Sequence, residues 1–282
     1  VAFLIQVLIV GVPPIFGYGL DVIIKGLVAA TVFKFIWLIV ILIRYSKAEL
    51  DINLLKQYIS LGAPLVLSTL LSSAATYIDG FIITSNFSPD EFAVFQYGAT
   101  ELPISLLLAN SLSMAMLPRF AKKEIESPLA ELRSEVYRLH WYLFPISIIL
   151  ILSSHWLFPV VFNSQFQESA SIFNIYLLLV ISRVLIPQTI LIAKKMNSVI
   201  VKASLIELIV NVTSSIVLVN IIGIEGVAWG TFIAFLAEKV YLAFYCKRKL
   251  NIGVEKYLPM KIYIISSLLL IFAFIMIEYI VY

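Results

Sequence analysis

Several charged side chains stand inside apolar runs of this chain, and these are the residues with chemistry to offer. Arg183, Lys239 and Lys34 are basic; Asp79, Glu101, Glu207 and Glu238 are acidic. A Lys or Arg at the centre of a membrane helix costs roughly 2.5–3.5 kcal/mol on insertion scales. Each such charge therefore demands a counter-charge, water or a bound anion. Arg183 is the first candidate for an anion contact, because a planar guanidinium matches phosphate oxygens two at a time. Lys34, mid-run among Phe33, Phe35 and Trp37, is the second. Lys25 lies near the outer end of the same run, where its stem can carry the charge to the interface. At nine residues apart the two lysines fall on opposite helix faces and do not grip one group.

The acids differ in their settings. Asp79 shares a helix face with Ser68, Ser72 and Thr76, and Glu101 falls in step with Tyr97 and Ser105. Asp79 and Glu101 lie towards the outer half of adjacent spans. They read either as a pair that takes up a proton or cation for coupling or gating, or as hydrogen-bonded packing. Glu207 sits in a polar stripe with Ser204, Asn211 and Ser214 and is open to the same two readings. Arg183, Glu207 and Lys239 come out at one depth, about 10 Å from the inner ends of three consecutive spans. They form part of a cytoplasm-facing cavity or, alternatively, structural Arg183–Glu207 or Lys239–Glu207 pairs. Lys239, beside Glu238 and able to snorkel, leans to the structural side.

The elements that must position these residues are membrane helices. Of 282 residues, 61% are hydrophobic and only 13% charged, about half the charged share of a soluble domain. Mean hydropathy is +1.02. Apolar spans recur at 19–43, 57–85, 92–117, 136–161, 169–190, 197–220, 225–246 and 259–281, with a partial span over 1–16 ending at Pro13-Pro14. Pro103 is placed to bend the third of the full spans. The fold class is an all-α integral membrane protein, a polytopic bundle of about eight full transmembrane helices plus a partial N-terminal one. No strand-like alternation persists, which argues against a β-barrel.

All but four of the 20 lysines and arginines lie in the loops 44–56, 118–138, 191–202 and 247–261, while the alternate loops carry none. By the positive-inside rule the basic loops are cytoplasmic. The stretch 119–138, with Pro128 in it, reads as a charge-mixed connector lying on the inner membrane surface. A net charge of +3 is too small to suggest nucleic acid. The lone Cys246 excludes an intrachain disulfide or a cysteine-based zinc cluster. His140 and His155 lack partners at ligand spacing and read as interfacial, so no metal is expected. Gly226 and Gly230 form a small-xxx-small pair for close helix packing. The chain opens on Val1 within an apolar run, so it is expected to be a fragment.

A series of short patterns carries a resemblance. Gly62-Ala63-Pro64-Leu65, Tyr77-Ile78-Asp79, Phe87-Ser88-Pro89-Asp90-Glu91-Phe92-Ala93-Val94-Phe95, Glu101-Leu102-Pro103 and Met116-Leu117-Pro118 follow one another in order. So do Phe173-x-x-Tyr176-Leu177-Leu178-Leu179 and Gly223-Ile224-Glu225-Gly226-Val227-Ala228-Trp229-Gly230-Thr231. Together they resemble the polysaccharide flippases, the O-antigen and capsule repeat-unit transporters of a superfamily that also holds multidrug exporters. Gly80 departs from that pattern, where a basic residue is expected.

The resemblance implies two six-helix lobes around a central cavity. Residues 1–45 would end the first lobe, 46–56 would be a cytoplasmic linker, and 57–246 the second lobe. Residues 247–282 would add a loop and a further terminal helix. It implies transport of an undecaprenyl-pyrophosphate-linked repeat unit across a bacterial inner membrane by alternating access, for cell-surface polysaccharide or lipopolysaccharide synthesis. Arg183 and Lys34 would hold the headgroup, with no cofactor and with H+ or Na+ as the coupling ion. Partners would be the lipid-linked oligosaccharide, the bilayer and the polysaccharide assembly machinery. The rival readings are a cation-coupled multidrug exporter of the same superfamily and a membrane-embedded polymerase or ligase. The outer loops are too short for the latter.

Overall fold

A computed structural model describes residues 12, 19–46, 51–121 and 126–281, and these are helical almost throughout, with no strand among them. The chain divides into two compact units, Val1–Gln57 and Tyr58–Tyr282. The partial span expected over 1–16, apart from Val12, lies outside the described residues, as do 47–50 and 122–125 of the basic loops.

In the first unit, α1 (Leu20–Tyr45) is apolar on every side, with Phe35, Trp37 and Ile43 exposed. A helix of this kind has lipid as its natural surroundings. Lys25 and Lys34 stand on it. α2 (Ile52–Asn86) starts before the division and runs on into the second unit.

The second unit contains two spans that are broken: the bend expected at Pro103 is present, and a second break, not expected from the sequence, interrupts 169–190. The span expected at 92–117 is α3 (Pro89–Gly98) and α4 (Pro103–Phe120), bent by 48°. The span expected at 169–190 is α6 (Ser169–Leu177), α7 (Val180–Arg183) and α8 (Pro187–Ala193), with a 47° bend between Arg183 and Pro187. Each bend has the same cause. Pro103 and Pro187 open the helix beyond it, and a proline drives the residue before it out of helical geometry. Leu102 (ψ 110°) and Ile186 (ψ 44°) show that displacement. Among the described residues, six continuous helices are long and apolar enough to cross a membrane, or eight spans if each bent pair is one.

The remaining helices are α5 (Glu126–Val161), α9 (Asn197–Ile222), α10 (Glu225–Leu250) and α11 (Met260–Met276), the last continuing as one π-helical turn, Ile277–Val281. α5 corrects the reading of 119–138 as a separate surface stretch. From Glu126 onward the connector is already part of the spanning helix. Leu129, Leu132, Val136, Leu139 and Leu143 are buried at helical spacing across the expected boundary, so packing carries the helix through it. Pro128 falls in the first turn, where its missing N–H costs nothing.

Two histidines also differ from expectation. His140 is buried rather than interfacial, its Nδ1 2.6 Å from the Val136 carbonyl and its ring stacked on Phe144. His155 has a carboxylate partner after all: its Nε2 lies 3.0 Å from Glu278 Oε1. Asn174 donates to the same oxygen at 2.6 Å, so α5, α6 and the terminal helix meet in one polar knot at their outer ends.

α9 and α10 form the tightest pair, joined by a turn at Gly223, whose φ of +69° suits glycine. A Cβ on Gly230 would stand 2.7 Å from the Ser215 backbone nitrogen, and one on Gly226 2.5 Å from that of Val219. Both contacts are to backbone, which cannot swing aside. Gly230→Ala is accordingly expected to force the helices apart and cost about 1–3 kcal/mol. Thermal melting of the detergent-solubilised protein would read this, and an unchanged melting temperature would refute the close approach.

Candidate functional site

The second unit encloses a cavity of about 770 Å³. Its lining comes from one face of α2, from the two broken spans, and from α9 and α10. The proline breaks bring side chains into this cavity that a straight helix would carry past it.

Glu101 lies in the gap between α3 and α4, and Arg183 is the last residue of α7, at the edge of the other gap. Their side chains meet fork to fork: Arg183 Nε donates to Glu101 Oε1 at 2.5 Å and Nη2 donates to Oε2 at 2.7 Å. The guanidinium also stands over the Phe235 ring, 4.3 Å from its centroid. The partner is therefore Glu101, and not the Glu207 considered from depth alone.

Lys239 is similarly engaged. Its Nζ lies 2.9 Å from Glu238 Oε2 and 2.9 Å from Gln188 Oε1, so it too is held by a neighbour other than Glu207. Glu207 instead accepts from Ser72 Oγ at 2.9 Å. Ser68 and Ser204 are hydrogen-bonded at 2.5 Å one turn further in, and Asn197 donates to the Leu61 carbonyl at 2.7 Å. The polar face of α2 is thus zipped to the polar face of α9.

Asp79 closes the outer end of this seam. Thr231 Oγ1 donates to Asp79 Oδ2 at 2.8 Å and accepts from Asn211 Nδ2 at 3.1 Å. Asp79 Oδ1 and Asn211 Oδ1 are both buried and have no hydrogen-bond partner among the described residues. Two orphaned acceptor oxygens around one hydroxyl are costly unless something electropositive joins them.

The cavity thus brings together Asp79, Glu101, Arg183, Glu207 and Lys239. Lys25 and Lys34 belong to α1 of the first unit. Thr231, Gln188 and Phe235 are contributors that sequence reasoning missed, and nothing in their local spacing marks them. The charges on this lining also differ from the expected cationic cavity: Asp79, Glu101, Glu207 and Glu238 outnumber Arg183 and Lys239. Among the described residues no three His, Cys, Asp or Glu side chains are placed to hold a metal ion.

The sequence matches the family described as lipid II flippase MurJ over residues 2–282. Comparison with curated proteins returned no match. Among solved structures the chain is similar to one titled "Lipid II flippase MurJ, inward closed conformation". The TM-score is 0.63 at 17% identity, over 99% of this chain and 66% of that one. At that identity the likeness is one of fold, and this chain spans just under two thirds of the solved one.

The side chains of Arg183 and Glu101 retain 17% and 18% exposure, so their pair lies between the surface and fully buried limits. Glu101→Gln and Arg183→Gln are each expected to destabilise the fold by about 2 kcal/mol. The double variant should lose clearly less than the two losses together. A double-mutant cycle on thermal melting tests this, and additive losses would mean that the pair does not couple the two breaks.

Proposed function

This chain belongs to the MurJ lipid II flippase family, and from that membership we propose that it moves lipid II, the lipid-linked precursor of peptidoglycan, between the leaflets of the membrane. It is a multi-pass protein of the inner membrane, and its family is one of transporters rather than enzymes. The O-antigen or capsule repeat unit, first suggested by the resemblance, shares the polyprenyl pyrophosphate but is the less favoured cargo. The family match moves the reading to the peptidoglycan precursor.

The observation that carries the proposal is the forked Arg183–Glu101 pair inside a polar cavity. A guanidinium held this way by a carboxylate presents the same two donors that a pyrophosphate would accept. On this reading the headgroup takes the place of Glu101 at Arg183; Lys34, on α1, is a separate candidate cation. The lipid tail stays in the bilayer. Residues 57–246 act as one lobe, 1–45 belong to the other, 46–56 link them, and 247–282 add the terminal helix. Relative rocking of the lobes alternates access, as in other transporters built from repeats.

Depleting the intact protein in cells and assaying lipid II on each leaflet tests this. Accumulation in the inner leaflet, cured by wild type and roughly tenfold less effectively by Arg183→Ala at equal protein level, is the expected result. An unchanged leaflet distribution would remove the flippase reading, and full rescue by the variant would return Arg183 to a structural role.

One observation favours a cation-coupled exporter instead, namely the excess of carboxylates on the lining. The same acids support coupling within the flippase reading. We assign that role to Asp79, a buried carboxylate on the cavity lining that accepts from Thr231, whose hydroxyl in turn accepts from Asn211. Glu207 and Glu101 then serve as gating residues through Ser72 and Arg183. In proteoliposomes, transport should rise with an inward sodium or proton gradient in the wild type and lose that dependence in Asp79→Asn. Persistence of the dependence in the variant would place coupling elsewhere.

A further inference from the structure

A second concavity, of about 650 Å³, lies at the inner face between the start of α5 and the start of α11. It shares no lining residue with the central cavity. We propose that this groove binds the phosphodiester headgroup of an anionic membrane phospholipid.

Its charges come from two helices: Arg133 from α5 and Lys261 from α11, with Ser134 and Tyr137 beside them and a single acid, Glu255. The neighbouring acids Glu131 and Glu135 are already paired, with Arg119 and Arg138. Arg133 and Lys261 have no ion-pair partner among the described residues. Two cations against one carboxylate leave one positive charge, which matches a monoanionic phosphodiester. A zwitterionic headgroup would bring its own ammonium against Arg133 and Lys261.

The depth fits a lipid. Both helices start in basic loops assigned to the cytoplasm. Tyr137 meets Trp141 edge to face at 6.4 Å, and Trp141 and Tyr142 are exposed. Tyr137, Trp141 and Tyr142 stand near the start of the apolar stretch 136–161 within α5, and exposed Trp and Tyr at the edge of an apolar stretch mark the level of the headgroups. Beyond Lys261, the exposed Ile264, Ile265 and Leu268 continue along α11 as an apolar track. A ligand seated here meets cations at one end and hydrocarbon-facing side chains at the other, the polarity of a phospholipid. Basic pockets between membrane helices on the cytoplasmic side recognise anionic headgroups in this way. The groove is independent of the cargo, so the inference stands or falls apart from the transport reading.

The test uses the intact purified protein in detergent. Native mass spectrometry follows the binding of phosphatidylglycerol, with phosphatidylcholine as zwitterionic control and glycerol phosphate as a free-phosphate probe. At roughly 1 kcal/mol per basic side chain, Arg133→Gln with Lys261→Gln should weaken phosphatidylglycerol binding about 30-fold. Phosphatidylcholine binding should be unchanged. Glu255→Gln should strengthen phosphatidylglycerol binding about fivefold, and this variant decides the matter if the double variant does not fold. Equal phosphatidylglycerol binding by wild type and both variants would overturn the proposal. Glycerol phosphate binding as tightly as the whole lipid would also overturn it, by showing a soluble-phosphate site.

Discussion

The bidentate contact between Arg183 and Glu101 joins two places where membrane helices are interrupted. Each interruption frees backbone groups that lipid cannot satisfy, so broken helices survive only where protein or a wet cavity surrounds them. Here the two breaks face one cavity, and the ion pair fastens one to the other. An arginine alone at this depth would be expensive, and a carboxylate alone equally so. Together they turn two weak points into one junction, and the cavity wall on this side follows from it.

The opposite wall is held differently. α2 meets its neighbours through hydrogen bonds at Leu61, Ser68, Ser72 and Asp79, reaching Asn197, Ser204, Glu207 and Thr231. That seam contrasts with the α9–α10 contact, where glycines let backbones touch. Hydrogen bonds between side chains have alternatives in water, whereas interlocked backbones do not. The cavity therefore has one wall that can exchange hydrogen-bond partners and one that is rigid.

The balance of charge constrains any account of an anionic cargo. Both cations on the lining already have carboxylate partners, so an anion arriving at Arg183 must replace Glu101 rather than meet an idle charge. Such an exchange keeps the arginine satisfied whether the cavity is empty or loaded. It would also leave the Glu101 carboxylate without its guanidinium partner.

Much of the architecture was legible in the residues themselves. Hydropathy located the spans, and the polar stripes on α2 and α9 marked the faces that turned out to meet. These are local properties, set by how each segment partitions between water and lipid. The partners of the charges were not legible. Depth along a helix assigned Arg183 and Glu207 to the same level, but choosing among candidates at one level requires helix rotation and the direction of each bend. Pro103 and Pro187 were visible, yet only the packed bundle turned their bends towards each other and set Glu101 against Arg183. In the same way His155 found Glu278 across the bundle. Segment-by-segment chemistry determined which helices exist; the tertiary structure alone decided which buried charges are neighbours, because that depends on distances between helices and not along them.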